Sequence, residues 1–329
     1  MNFTPIFLTS IFVYLPTIGY LLDLPWLGLL VGAVIVPIAE WLIGPRVLGH
    51  AIQSSNLMRL FALSVCLQIL GFATQSPQLS AEDVFWLGLS MGYVSGGCGL
   101  VLAHELGHRY KGIDPWLSRV LLALVGWGPY RIEHNQGHHR LAATFEDPAT
   151  ARAEESLYSF MPRYWRGIYV NGWNLSQLSK VRTGWHEART LTAFSFILIV
   201  GLALGYGINS IFFWFIQALT AIFLVTAVDY IEHWGLTRKN GERGIEKISH
   251  KHIWDCANGV AETLLFNLPR HSHHHLAPSL IGHQLDRTKA SPQMPTGYAG
   301  MVLMASIPPL WFRIMRPRLA QYQEAYVRN

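Results

Sequence analysis

Fifteen histidines occur in this chain of 329 residues, and most of them fall in short groups with regular spacing. The groups lie in the sequences HELGH, EHNQGHH and RHSHHH, where histidines recur at intervals of three, four or five residues. In chain order they contain His104 and His108, then His134, His138 and His139, then His271, His274 and His275. Side chains at such spacings share one face of a helix. The sequence therefore predicts three helical segments that each present a row of imidazoles.

Metal binding is the function that best accounts for these groups. Most single histidines are satisfied polar groups, and histidine-rich tracts also occur as solvated tags or pH-sensing surfaces. Eight histidines at helical spacing, with His233 in the sequence YIEHWG as a ninth, favour a metal centre over those alternatives. His273 is out of phase with its three neighbours in RHSHHH, and we expect it not to bind metal.

The sequence HELGH also matches the HExxH pattern of zinc hydrolases, in which the glutamate, here Glu105, is the general base. One zinc ion takes three or four ligands, so that assignment leaves most of the histidines unused. Two iron ions that share nine imidazoles use all of them, and imidazole suits iron. We therefore favour iron, with a zinc-dependent intramembrane hydrolase and a metal transporter as alternatives.

The segments that must position these histidines are predicted to cross a membrane. The chain is 51% hydrophobic and 14% charged, against about 25% charged residues in soluble domains. About 20 apolar residues cross the hydrocarbon core as a helix. Six stretches fit or nearly fit this length, at 5–22, 24–43, 57–74, 84–103, 191–208 and 211–231. The predicted fold is an all-α integral membrane protein, a single domain over 1–329, with six transmembrane helices and a cytoplasmic helical cap that carries the histidines.

The positive charges give this arrangement a direction. No Lys or Arg occurs in 1–45, 60–108 or 190–237. By the positive-inside rule both termini and the segments 104–190 and 232–329 are cytoplasmic, and we expect the membrane to be a bacterial inner membrane. All four histidine sequences then lie at one depth. Three further apolar stretches, 116–130, 259–268 and 298–312, are predicted to be helices buried against the bundle or lying at the interface.

Redox chemistry in this chain would need an outside electron source. The three cysteines, Cys66, Cys98 and Cys256, form no CxxC pair, and no glycine-rich dinucleotide sequence is present. The redox partner is therefore expected to be a separate protein. The net charge of +5 follows from membrane topology and predicts contact with anionic lipids rather than nucleic acid.

Together, HELGH, EHNQGHH, YIEHWG and RHSHHH resemble the membrane alkane 1-monooxygenase family, which includes the xylene methyl hydroxylases and is related to the membrane fatty acid desaturases. The resemblance covers roughly residues 24–278 and implies a non-haem di-iron centre. Its nine ligands would be His104, His108, His134, His138, His139, His233, His271, His274 and His275. It also implies hydroxylation of a terminal methyl group of an alkane or alkyl-aromatic substrate to a primary alcohol. O2 is the co-substrate, and electrons come from a rubredoxin or ferredoxin with its reductase. A membrane desaturase or another lipid-modifying di-iron oxygenase is the alternative.

Carboxylates near the ligands are expected to orient them, because metal-bound imidazoles usually donate their second N–H to a carboxylate or carbonyl. The candidates are Glu105, Glu133, Asp229, Glu232, Asp255, Asn258 and Glu262. The last three stand at i, i+3 and i+7 in DCANGVAE, which predicts one polar helix face directed at the iron site. Glu40, inside the second predicted span, belongs to the same class.

Two surfaces outside the metal site are also predicted. The glycines Gly92, Gly96, Gly97 and Gly99 either allow close helix packing or leave room for a linear substrate. A basic patch for an acidic electron donor would contain Arg163, Arg166, Lys180 and Arg182.

Overall fold

Helices make up most of the protein. The computed structural model describes residues 4–49, 52–183, 185–241 and 244–328, and for 181–183 and 325–328 it describes the backbone alone. The strands in this part of the chain form one short hairpin, in which Asn240–Gly241 pairs with Gly244–Ile245. The helices are α1 Thr4–Leu21, α2 Leu27–Ile43, α3 Ser55–Gln75, α4 Ala81–Gly107, α5 Asp114–Leu124, α6 130–141, α7 Leu157–Thr183, α8 Glu187–Tyr206, α9 Ile208–His233, α10 Gly259–Leu264, α11 His271–Leu276, α12 Tyr298–Ala305 and α13 Pro308–Arg328.

Five of these helices, α1, α3, α4, α8 and α9, are long and apolar enough to cross a membrane, which makes the chain an integral membrane protein. Helix α2 is equally apolar but shorter. Helices α12 and α13 are long and apolar enough only if taken together, and they meet at a bend of 117°. The six predicted spans coincide with α1 to α4, α8 and α9.

The ends of these helices differ from the predicted ends for local reasons. Helix α2 begins at Leu27 because the preceding turn includes Asp23 at a φ of 56°. Helix α8 ends at Tyr206 because Gly207, at a φ of 78°, breaks the backbone there. Helices α4 and α9 run further than predicted, so that His104 and His233 lie in their last turns rather than beyond them.

The three further apolar stretches are helical but shorter than predicted. The stretch 116–130 contains α5 and the start of α6, separated by a turn at Gly126 with a φ of 73°. Helix α10 covers only the first part of 259–268, and 298–312 is broken between α12 and α13.

Three helices each contain one π-helical turn, where hydrogen bonds span five residues instead of four. These turns are Val31–Ile35 in α2, Ser95–Gly99 in α4 and His134–His138 in α6. A π-helical turn rotates the residues that follow it relative to an α-helix. The turn in α4 lies just before HELGH and the turn in α6 lies within EHNQGHH, and both therefore change the direction in which histidine side chains point.

Small residues bring α4 against α9. A Cβ atom added to Gly92 would lie 2.4 Å from Cβ of Thr220, and one added to Gly96 would lie 2.9 Å from Cβ of Leu224. Neither distance is possible between real atoms, so these two glycines set the separation of the helices. This outcome favours the packing explanation for Gly92 and Gly96.

Glu40 fastens α2 to the start of α12. Its buried carboxylate accepts hydrogen bonds from the backbone N–H groups of Ala299 (3.1 Å) and Gly300 (2.9 Å). These N–H groups belong to the first turn of α12, which has no intrahelical acceptors for them. Gly297 is required beside them, because a Cβ there would stand 2.2 Å from Cδ of Glu40. The acidic side chain therefore caps a helix.

Candidate metal centre

The nine predicted ligand histidines converge in two adjacent groups, within each of which all donor atoms lie within 4.8 Å of one another. The five-histidine group consists of His104, His108, His134, His139 and His274. The four-histidine group consists of His138, His233, His271 and His275. His273 stands outside both groups, and its Nδ1 accepts a hydrogen bond from the backbone N–H of Asp286 at 2.8 Å.

The spacing of the donor atoms fits metal ions. Neighbouring Nε2 atoms stand 3.0–3.2 Å apart, for example His134 and His139 in one group and His233 and His271 in the other. Two nitrogens that each lie about 2.1 Å from one ion, at about 90° to each other, are about 3.0 Å apart. A buried cluster of nitrogen lone pairs that face one another has no other source of compensation. The residues therefore fit one ion in each group.

The π-helical turn in α6 divides the sequence EHNQGHH between the two groups. His134 and His139 are five residues apart, and in a π-helical turn they share a face; their Nε2 atoms are 3.0 Å apart. His138 points away from them and into the four-histidine group, with its Nε2 3.1 Å from that of His275. The prediction that all three share one helix face was wrong, because the turn is not α-helical.

Helix α11 is divided in the same way. His271 and His275, four residues apart, belong to the four-histidine group, and their Nε2 atoms are 3.1 Å apart. His274 instead contacts the five-histidine group, 3.1 Å from Nε2 of His104. A helix of six residues that lies between the two groups can direct side chains to both sides. The sequence RHSHHH therefore serves both groups rather than presenting one row.

Burial keeps most of these imidazoles neutral. Burial, and after it the neighbouring imidazoles, lowers the pKa of His139 and His275 well below the usual range of histidine. A neutral imidazole offers the lone pair that a metal ion requires. Burial also opposes a proton on His138, but nearby carboxylates, Asp147 first and then Asp229 and Glu133, outweigh it and raise the pKa of His138 to about 9.

Asp147 is the orienting carboxylate that the sequence analysis missed. Its side chain is fully buried, and Oδ2 lies 3.0 Å from Nδ1 of His138. Thr150 Oγ1 donates to the same oxygen at 2.8 Å, and the N–H of Ala149 donates to Oδ1 at 3.0 Å. A carboxylate in this position fixes the tautomer of a ligand histidine. The sequence gives no sign of this contact, because Asp147 is nine residues away from His138 and adjoins no histidine group.

Glu105 and Glu232 lie beside histidines of the two groups. Oε1 of Glu105 is 3.9 Å from Nδ1 of His104, and its Oε2 accepts from the N–H of Gly282 at 3.0 Å. Oε2 of Glu232 lies 3.2 Å from Nε2 of His271, although Glu232 is adjacent in sequence to His233. Tyr298 donates to the other oxygen of Glu232 at 2.5 Å. Both carboxylates are therefore held by one neighbour and directed at the metal centre.

Asp229 and Glu133 are buried near His138, but neither makes a hydrogen bond to a histidine of the two groups in the part of the chain that the structure describes. Asp229 accepts a hydrogen bond from the hydroxyl of Tyr164 on α7, and no hydrogen bond joins it to His233 among the described residues. Its carboxylate lies on the wall of a cavity beside the ligands. Glu133 is buried against Gly137, where an added Cβ would lie 2.7 Å from its Oε1.

The predicted polar helix face at Asp255, Asn258 and Glu262 was wrong. Helix α10 begins only at Gly259, because Asn258 caps it by accepting from the N–H groups of the next turn. Glu262 binds Arg270 at 3.0 Å and Arg287 at 2.6 Å. Asp255 binds two serines: Oδ2 accepts from the hydroxyls of Ser272 at 2.7 Å and Ser291 at 2.6 Å, and Oδ1 accepts from the backbone N–H of Ser272 at 2.7 Å. These side chains fix the segment around α11, and Asp255 acts on the residue that follows His271.

An apolar cavity leads to the metal centre between α1, α2, α4, α9, α10 and α12. Its walls include Phe12, Val36 and Val302, and it adjoins a small cavity lined by His104, His134 and His271. The two cavities share Gly96, Val101, Val228 and Leu268. Gly97 faces the apolar cavity, where an added Cβ would meet nothing closer than Phe12 at 3.6 Å. Gly97 therefore leaves space, unlike the packed glycine Gly92.

The predicted basic patch is only partly available at the surface. Arg163 binds Glu155 at 2.9 and 2.8 Å and also donates to two backbone carbonyls. Arg166 and Lys180 are exposed. The side chain of Arg182 lies outside the described residues.

Comparison with known proteins agrees with this architecture. The fatty acid desaturase family model matches residues 84–305, which hold all nine histidines. Alkane 1-monooxygenase 2 of Pseudomonas aeruginosa is 31% identical over 91% of this chain and 85% of its own length. Alkane 1-monooxygenase 1 of the same organism is 37% identical over 72% of this chain, and the match spans 65% of that relative. The xylene/toluene monooxygenase hydroxylase component XylM of Pseudomonas putida is 25% identical over 72% of this chain and 65% of its own length.

Proposed function

We propose, from the premise that this chain belongs to the fatty acid desaturase family and within it to the alkane 1-monooxygenases, that it hydroxylates the terminal methyl group of an alkane or alkyl side chain. O2 supplies the oxygen of the primary alcohol, and two electrons and two protons reduce the other oxygen atom to water. The observation that carries this proposal is the convergence of nine imidazoles in two groups at the end of an apolar cavity.

Two non-haem iron ions, one in each histidine group, are the proposed cofactors. Bound iron supplies, with O2, the oxidising power that an unactivated C–H bond requires. Zinc has no redox chemistry, and a hydrolase that used Glu105 as base would leave the four-histidine group without a role. The five-histidine and four-histidine groups match in donor type and spacing, which supports the same metal in both.

The protein's own residues would hold, orient and desolvate the reactants. The Nε2 atoms of the two groups hold the metal ions, and Asp147 fixes the imidazole of His138. Glu232, held by Tyr298, keeps a carboxylate oxygen at the four-histidine group. The apolar walls of the cavity exclude water from the end that meets His104 and His134.

The proposed substrate is a flexible alkyl chain with a free methyl end. Apart from Glu40, whose carboxylate caps α12, aliphatic and aromatic side chains line the apolar cavity, whereas Asp229, Glu232 and imidazoles line the small cavity that it adjoins. An alkane would place its body among the former and its methyl group beside the latter. The similarity to XylM supports an alkyl-aromatic substrate as a second option.

The proposed topology has six spans, with both termini and the metal centre on the cytoplasmic side of a bacterial inner membrane. Its support is the distribution of Lys and Arg and the presence of ligands in the last turns of both α4 and α9. The proposed electron donor is a separate rubredoxin or ferredoxin with its reductase. The three cysteines are buried, and the chain has no CxxC pair for an iron–sulfur centre of its own.

Product analysis tests the proposal. The chain is expressed with a rubredoxin and its reductase in cells that do not oxidise alkanes, and octane, hexadecane, p-xylene and a fatty acid are supplied separately under isotopically labelled O2. We expect a labelled primary alcohol that disappears in His138→Ala and His274→Ala, which remove one ligand from each group, and that persists in His273→Ala. Unlabelled unsaturated products would make the protein a desaturase. Zinc in place of iron in the purified protein would exclude the oxygenase.

A further inference from the structure

We propose that Tyr164, Trp127, Tyr169 and Trp173 form a relay that carries oxidising equivalents from the metal centre to the protein surface when no substrate is bound. This inference rests on the proposed function, because only an oxygenase generates such equivalents. The relay is a second, protective activity of the same protein. It differs from hydroxylation in its path, its electron source and its product.

The four rings form an unbroken series of contacts. Ring centroids are 6.1 Å apart for Tyr164 and Trp127, 5.6 Å for Trp127 and Tyr169, and 6.1 Å for Tyr169 and Trp173. Every member is a tyrosine or tryptophan, the two side chains whose rings lose an electron most readily. Electron transfer between such rings needs only short steps, since each contacts the next.

The inner end of the series, Tyr164, lies one hydrogen bond away from the wall of the small cavity. Tyr164 is fully buried, and its hydroxyl donates to Asp229, whose carboxylate faces that cavity together with His104 and His134. Another cavity wall residue, Tyr130, stacks on His134 with centroids 5.2 Å apart. Oxidation of a tyrosine releases its phenolic proton, and at Tyr164 the carboxylate of Asp229 is hydrogen-bonded to receive it.

The outer end reaches the surface. Trp127 is 2% exposed, and Tyr169 is partly buried with its hydroxyl donated to the carbonyl of Gly126, whereas Trp173 is 39% exposed on α7. If these rings served only to pack the core, the last ring of the series, Trp173, would not need to be exposed. The direction of the series, from buried to exposed, is the direction that an escaping oxidising equivalent would follow.

Each passage moves one electron inward and returns every proton. Tyr164 gives one electron to the oxidised centre, and its phenolic proton moves to Asp229. The tyrosyl radical then takes an electron from Trp127 and its proton back from Asp229. Trp127 takes an electron from Tyr169, whose phenolic proton shifts along its hydrogen bond to the Gly126 carbonyl and returns when Trp173 reduces the ring. A soluble thiol reductant gives one electron to Trp173, releases its proton to solvent and becomes a thiyl radical. Two passages deliver two electrons, the two thiyl radicals combine to a disulfide, and the two protons that the thiols release match the two that reduction of the centre takes up.

Uncoupled turnover tests the relay. The iron-loaded full chain receives its electron donors and O2 without substrate, and three quantities are followed: surviving hydroxylase activity, organic radicals in freeze-quenched samples by EPR, and oxidised residues by peptide mass spectrometry. We expect Trp127→Phe and Tyr169→Phe to lose activity several times faster than the wild type and to show no oxidation at Trp173.

Tyr230→Phe is the matched control. Like Tyr169, Tyr230 donates its hydroxyl to a backbone carbonyl, that of Glu155, but it is separated from Tyr164 by the ring of Phe160, which is not oxidised. Its survival should equal that of the wild type. Equal damage in Tyr230→Phe and Trp127→Phe, or unchanged survival in Trp127→Phe while the wild type still makes alcohol with substrate, would overturn the relay. Failure of the wild type to make alcohol from any substrate would instead remove the proposed function, and the relay with it.

Discussion

Replacing Asp147 by asparagine would remove one buried charge while leaving the size of the side chain unchanged. Asp147 binds Nδ1 of His138 at 3.0 Å and contacts no other ligand histidine by a hydrogen bond within the described residues. Among the described residues, the five-histidine group has no carboxylate in the position of Asp147. The Nδ1 atoms of His104, His139 and His274 are buried and have no hydrogen-bond partner in this part of the chain. Asp147→Asn should therefore weaken the hold of only one group on its ion.

The expected size of this effect follows from the hydrogen bond. A hydrogen bond to a charged group contributes about 1.5–3 kcal/mol, and losing a carboxylate behind a ligand histidine typically costs about 10–100-fold in metal affinity. Asparagine still offers an acceptor oxygen, so we expect about a 10-fold loss in Asp147→Asn. Asp147→Leu also leaves Thr150 and the N–H of Ala149 without their acceptor, and we expect about a 100-fold loss there.

Metal release into a chelator, followed together with Mössbauer spectra of the iron-loaded protein, measures this effect. We expect one of two kinetic phases to accelerate and one of two iron signals to change in Asp147→Asn. Glu40→Gln is the control, because it also removes a buried carboxylate charge but its partners are backbone N–H groups. The reasoning would be refuted if both phases accelerated equally, or if Glu40→Gln released metal as fast as Asp147→Asn.

Three further outcomes test the cavity, the helix packing and the ligand assignment. Gly97→Leu should fill the apolar cavity and lower kcat/KM for hexadecane more than for octane; equal losses would place the substrate elsewhere. Gly92→Val would clash with Thr220, because even a Cβ at position 92 would lie 2.4 Å from Cβ of Thr220. This variant should destabilise the fold by about 1–3 kcal/mol, measured as a lower Tm in detergent. An unchanged Tm would mean that α4 and α9 separate easily. His273→Ala should retain the full metal content and His274→Ala should not, by elemental analysis; metal loss in His273→Ala would contradict its position outside both groups.

Much of the fold and of the metal centre could be predicted from the sequence. Each helix that is long and apolar enough to span a membrane overlaps a predicted span, because apolar length leaves a strong signal in the sequence. The convergence of the histidines followed from their placement at the ends of α4 and α9 and in the segments that follow these two helices. Helical spacing and membrane topology thus carried most of the information.

The division of the histidines between two groups could not be predicted. A spacing of i, i+4, i+5 reads as one face of an α-helix, and only the π-helical turn at His134–His138 turns His138 to the other side. Asp147 was missed for a related reason, because it reaches His138 through a turn rather than along a helix. The helix predicted across Asp255 failed because Asn258 caps a later start. Each error concerns backbone geometry within a few residues, which composition and periodicity do not resolve.

The division of α6 and α11 between the two groups has a consequence for how metal enters the protein. His138 and His139 are consecutive residues with donors in different groups, and so are His274 and His275. An ion bound in one group fixes the backbone that carries ligands of the other, and thereby lowers the entropy that the second ion must overcome. Binding of one ion should therefore raise the affinity of the other group, so that the second ion binds more tightly than it would to protein without the first.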